Sequence, residues 1–187
     1  MTDSTTTERP TLLSSLPVLE VVRHRAIDLL LSGAQLHGEL AQLVEVDATL
    51  TGLTLRLVRS KVYERADEEE VDLPDALERV GSVALMHAVT HLPPLPERRY
   101  REAVDQACRD WVHALAVAAA ARWLASTGAY EDLGEAFVAG LLHDVGRRCG
   151  AAEGRRADQT ADVLVRWRLA DRVVQAARFH DQVRDGL

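Results

Sequence analysis

The chain has 187 residues, 47% apolar and 27% charged, with a formal net charge of −7. Such a chain is long enough to bury its own core as one soluble domain, and an acidic balance without a basic patch argues against a nucleic-acid partner. No apolar run reaches membrane-spanning length, which argues against a membrane partner.

Aromatic residues make up only 4% while Ala and Leu abound, so packed helices are expected rather than a sandwich. Cys108 and Cys149 are not in metal-binding spacing and read as reduced thiols. With no signal peptide evident, they fit a cytoplasmic protein. Lys61 is the only lysine, Ile27 the only isoleucine, and Asn is absent. We read that bias as a GC-rich, bacterial source.

In chain order, residues 1–11 are polar and read as a disordered tail. "SSLPVLEVVRHRAIDLLLSG" reads as a helix stopped by Gly33. "LHGELAQLVEV" repeats Leu36, Leu40, Leu43 and Val44 at helical spacing, and Asp47 is placed to cap the next segment. In that segment "LTLRLV" alternates like a strand, yet Leu50, Leu53 and Leu57 share one helical face; its neighbours favour helix. The acidic run 64–72 reads as a solvated loop. Asp72 then caps a helix with Pro74 in its first turn, running to about His91. "LPPLPE" (92–97) breaks the chain between two helical lobes, 12–92 and 97–187. The second lobe is expected to hold helices at 97–126, 134–148, 157–168 and 172–184.

Chemistry concentrates in that second lobe. On helix 134–148, Val138, Leu141, Leu142 and Val145 form an aliphatic stripe. His143 and Asp144 straddle the opposite face, with Gly140 between them one turn earlier, leaving room for a shared ion. Helix 97–126 is apolar nearly all round near His113 and is expected to be central, with His113 in a seam of small side chains. On the last helix His180 shares a face with Val173, Ala176 and Ala177, and Asp185 follows. Each histidine also has a plainer reading as a packed or surface residue.

His113, then the His143–Asp144 pair, then a distal carboxylate resembles the HD superfamily of metal-dependent phosphohydrolases. Upstream, "LPVLEVVRHRAIDLLLSG", "ELAQLVEVDATLTGLTLRLVRSKVY" and "LPDALERVG" resemble the front half of an HDOD domain, the HD-related output domain of bacterial signalling proteins. The resemblance covers residues 12–187. It implies an all-α fold in which an N-terminal helical lobe packs on an HD-like lobe. It implies a regulatory module whose partner is a signalling protein or a nucleotide. The Ala-rich helices would serve a homodimer or a buried core equally well.

Two departures stand out. Arg59-Ser60 replaces the Asn-Ser usual in HDOD domains. Against HD-GYP phosphodiesterases, "HDQVRDG" matches at His180, Asp185 and Gly186 but not at Asp181 and Gln182, and an expected histidine falls near Arg156. The alternative is a mononuclear phosphohydrolase acting on a nucleotide or phosphodiester. There His113, His143, Asp144 and either His180 or Asp185 would hold Mn, Fe, Ni, Co or Zn. Arg147 and Arg148 would meet substrate phosphate. The regulatory reading is compatible with a metal or with none.

Overall fold

A computed structural model of the chain describes residues 17–33, 36, 38–60, 63, 72–93, 100–128, 130–148 and 155–182. The predicted tail, most of the acidic run, the proline break from 94 onward and Asp185 lie outside the described residues. Within them every regular element is a helix, and none is long and apolar enough to cross a membrane.

Helix α1 (Glu20–Leu31) starts after Pro17 and ends at Ser32, with Gly33 in the left-handed region at φ 72°. Helix α2 (Glu39–Val46) turns sharply into α3 (Ala48–Val58), where Asp47 Oδ1 accepts from the amides of Thr49 at 2.9 Å and Leu50 at 3.0 Å. The ambiguous "LTLRLV" is therefore helical. Asp72 caps α4 (Leu73–Thr90) in the same way, accepting from Asp75 N. Residue Gly81 kinks α4 with φ 73° and ψ 163°, a break that the apolar periodicity does not reveal.

Helix α3 is the buried one. Ala48, Leu50, Gly52, Leu55 and Val58 are all enclosed. Its buried hydroxyls return to backbone carbonyls, Thr51 Oγ1 to Val44 O and Thr54 Oγ1 to Leu50 O, which removes the cost of an unpaired polar group. Helices α1 to α4 pack on one another, and α3 also touches the second group of helices.

That second group comprises α5 (Tyr100–Thr127), α6 (Leu133–Leu142), α7 (Val145–Arg148), α8 (Arg156–Arg166) and α9 (Asp171–Phe179). Helix α5 packs chiefly on α6, and α9 on α6 and α8. Contrary to the sequence expectation, α5 is not central: Val112, Trp123 and Leu124 are 58%, 65% and 59% exposed. Its all-round apolar character rests on alanines, which favour helix as strongly as they favour burial. The fold is locked between its two groups at Gly52, where a Cβ would collide with the buried Trp167 ring.

Candidate functional site

The expected helix 134–148 is two helices. Asp132 caps α6 by accepting from Glu135 N at 2.7 Å. The helix stops at Leu142, and His143 and Asp144 form the turn into α7. His143 Nδ1 lies 2.7 Å from Gly140 O, the carbonyl that would otherwise accept the Asp144 amide in a continuous helix. Gly140 lines the cavity beside the histidines, and a Cβ there would sit 2.7 Å from Ala118 Cα, so the glycine also admits the α5 backbone.

Three helices each contribute a histidine to one place. His113 Nε2, on α5, lies 3.2 Å from His143 Nε2. The His180 ring, at the end of α9, stands edge-on to His143 at 5.0 Å between centroids. His143 is buried, at 8% exposure. Burial pushes its imidazole below the ordinary value of 6.5, against the opposing pull of its bond to Gly140. A neutral His143 that donates from Nδ1 to Gly140 O presents a bare Nε2. With no ion between the rings, His113 donates from its own Nε2 to it. His180 Nδ1 faces Ala177 O at 2.7 Å, and its Nε2 faces Asp181 Oδ1 at 3.0 Å.

Asp144 lines the same cavity as the three histidines, and the two arginines that follow it engage α5 and α3. Asp144 Oδ1 is buried without a hydrogen-bond partner, while Oδ2 lies 3.9 Å from Arg147 Nη1. Arg147 Nε approaches Asp110 Oδ1 on α5 at 3.3 Å. Arg148 Nη1 donates to Thr49 Oγ1 at 2.9 Å, tying α7 to the start of α3. There it also acts on the buried Asp47, whose carboxyl burial pushes above the ordinary carboxylate range and Arg148 pulls back.

Do these donors suit the ion that the HD resemblance implies? Two imidazole nitrogens bound to one ion at about 2.0–2.1 Å each, at tetrahedral to octahedral angles, stand about 2.8–3.4 Å apart. The 3.2 Å pair meets that requirement. Yet no group of three or more His, Cys, Asp or Glu among the described residues is arranged to hold an ion. The described donors stop short of the three protein ligands of a hydrolytic centre.

The histidines close one end of a trough of about 890 Å³. Helix α5 runs antiparallel to α6, since His113 meets His143 and Ala118 meets Gly140. Helix α9 runs parallel to α6, since Arg172 meets Glu135 and His180 meets His143. Between the ends the walls are small and apolar: Val117, Ala121 and Ala125 from α5, Ala136 and Ala139 from α6, Val173 and Ala176 from α9. At the far end Tyr130 donates to Glu135 Oε2 at 2.8 Å, and Arg172 Nη1 lies 3.7 Å from the same oxygen. Arg156 also lines the trough, and its carbonyl abuts Gly146 just past the turn. The sequence reading did not single out Tyr130, Glu135 or Arg172. The eight-residue offsets from Glu135 to His143 and from Arg172 to His180 were the available signal.

An all-α chain with a buried histidine and a carboxylate side by side at a helix turn, met by a histidine from the preceding long helix, is of the HD kind. The family model for the HDOD domain matches residues 16–159, well over half of the chain, and the protein belongs to that family, which is related to the HD superfamily. The matched region contains α1 to α7 and the start of α8, whereas Arg172 and His180 lie beyond it. No curated protein and no solved structure matches the chain.

Proposed function

We propose that this protein is a regulatory HDOD module of bacterial signal transduction that works in the cytoplasm by binding a nucleotide or a signalling protein. One observation carries the reading: a ligand-sized trough ends at the His113–His143 pair, and no third described side chain joins that pair to chelate an ion. A volume of about 890 Å³ is in the range of small-molecule sites.

A second reading is a mononuclear metal-dependent phosphohydrolase. The buried, unpartnered Asp144 Oδ1 beside two converging imidazoles favours it. It requires Asp144 to join the pair, with either His180 or Asp185 completing the set.

The test is incubation of the full chain with mononucleotides and cyclic nucleotides, with and without manganese. Binding is read by calorimetry and product by chromatography. The regulatory reading expects saturable binding without product. Metal-dependent product formation that Asp144→Ala abolishes would overturn it.

A further inference from the structure

Helix α4 ends in another histidine pair, on an element that does not line the trough. "HAVTH" places His87 and His91 one helical turn apart, at i and i+4, the spacing by which two imidazoles on one helix face share an ion. Both residues are exposed, and their ring centres stand 4.4 Å apart with the planes tilted by 32°. The turn that carries them is anchored, because Leu85, Val89 and Leu92 on the opposite side are buried in the core. His91 Nδ1 lies 2.6 Å from His87 O, and Thr90 Oγ1 donates to the same carbonyl at 2.9 Å. A carbonyl can only accept, so His91 carries a proton on Nδ1, and the neutral ring presents a bare Nε2. Metal-ligating histidines are held in this way, with the second ring nitrogen donating to a backbone carbonyl.

We propose that His87 and His91 form a surface metal site on the first group of helices that takes Cu²⁺ or Ni²⁺. An ion about 2.0–2.1 Å from an imidazole nitrogen stands about 3.2 Å from the centre of that ring. Two such rings have centres about 4.5 Å apart when the ion holds them at a right angle, and about 5.2 Å apart at the tetrahedral angle. The observed 4.4 Å corresponds to the right angle. Square-planar and tetragonal sites of that angle suit copper(II) and nickel(II), whereas structural zinc is tetrahedral. Copper(II) binds the tighter of the two. The charge suits the place, because the carbonyl ends of a helix favour a cation at its last turn. Ala88 stands where H-E-x-x-H metalloproteases carry their general base. The pair is therefore suited to holding an ion and not to hydrolysis, and the remaining coordination positions are open to water. Copper or nickel bound by this protein does not by itself report on the His113–His143 pair.

The experiment is titration of the untagged full chain with Cu²⁺, and separately with Ni²⁺, in a non-chelating buffer at neutral pH. It is run on wild type, His87→Ala and His91→Ala. The readout is NMR, in which the paramagnetic ion broadens the ring-proton signals of the histidines that bind it. Both variants alter exposed residues, and metal-free melting temperatures check that each is folded. In wild type the His87 and His91 signals are expected to disappear together, at a lower concentration of Cu²⁺ than of Ni²⁺. In each variant the remaining ring should need about tenfold or more Cu²⁺, because a single imidazole forgoes the second, intramolecular bond. Signals of His87 and His91 that persist at a several-fold excess of Cu²⁺ overturn the site. Broadening of one ring at the same Cu²⁺ concentration with and without the other overturns the chelate.

Discussion

His113 Nε2 and His143 Nε2 stand 3.2 Å apart, brought together from positions thirty residues distant on antiparallel helices. The bond from His143 Nδ1 to Gly140 O fixes which nitrogen carries the proton. His143 is therefore expected to be the Nδ1–H tautomer at neutral pH. Long-range proton–nitrogen correlation NMR reads this directly. A protonated Nε2 on His143 would contradict it. In His113→Ala, His143 Nε2 loses its donor, at a cost of about 0.5–1.5 kcal/mol in stability.

Asp47 gives a pH-dependent prediction. Burial raises its folded pKa above the ordinary 3.8, so the native state holds the proton longer than the unfolded chain. Below pH 3.8 both states are protonated and no penalty applies. As pH rises past 3.8 the unfolded chain ionises first, and stability falls until the native carboxyl ionises too. Asp47→Asn keeps an acceptor for Thr49 and Leu50 and removes that slope. Its stability relative to wild type should therefore increase from pH below 3.8 to neutrality in urea melts. A constant or shrinking difference contradicts this linkage. Asp47→Ala, which abolishes the cap, should cost about 0.5–2 kcal/mol.

Gly140→Ala should be destabilising by about 1–3 kcal/mol, because the new methyl meets the Ala118 backbone and neither helix can yield locally. Denaturant unfolding measures it. An unchanged midpoint would mean that α5 and α6 are not held at this separation.

Gly81→Ala tests a different cause. No atom lies within 4 Å of a Cβ built there, yet φ is 73°. The loss expected is conformational, about 1–3 kcal/mol. A stability gain would indicate that α4 runs straight through the position in solution.

Much of the fold is legible in the sequence. Asp47 and Asp72 are legible because a short carboxylate before an apolar run has one local task, to cap. Its helical neighbours resolve "LTLRLV" as helix, and the buried Thr54 shows why a helix suits it: its hydroxyl bonds to Leu50 O one turn back. The break at His143 is not legible, because it depends on a side chain bonding back to Gly140, which periodicity does not register. The exposure of α5 is misread for a related reason, since alanine count measures helix formation as well as burial. His113, His143 and His180 are found by residue type. Their convergence depends on the antiparallel α5 and parallel α9, which are tertiary facts. The Tyr130–Glu135–Arg172 end carries no motif, and the eight-residue offsets that hint at it gain meaning only once α6 and α9 are known to run parallel.

The central claim is that this HDOD protein recognises a ligand at its histidine pair and does not hydrolyse one. The most direct test is multiple-turnover hydrolysis of nucleotides and a chromogenic phosphodiester by the full chain loaded in turn with manganese, iron, nickel, cobalt and zinc. No turnover above that of the metal salts alone is predicted. Turnover that depends on the protein and is lost in His143→Ala and Asp144→Ala would contradict the claim.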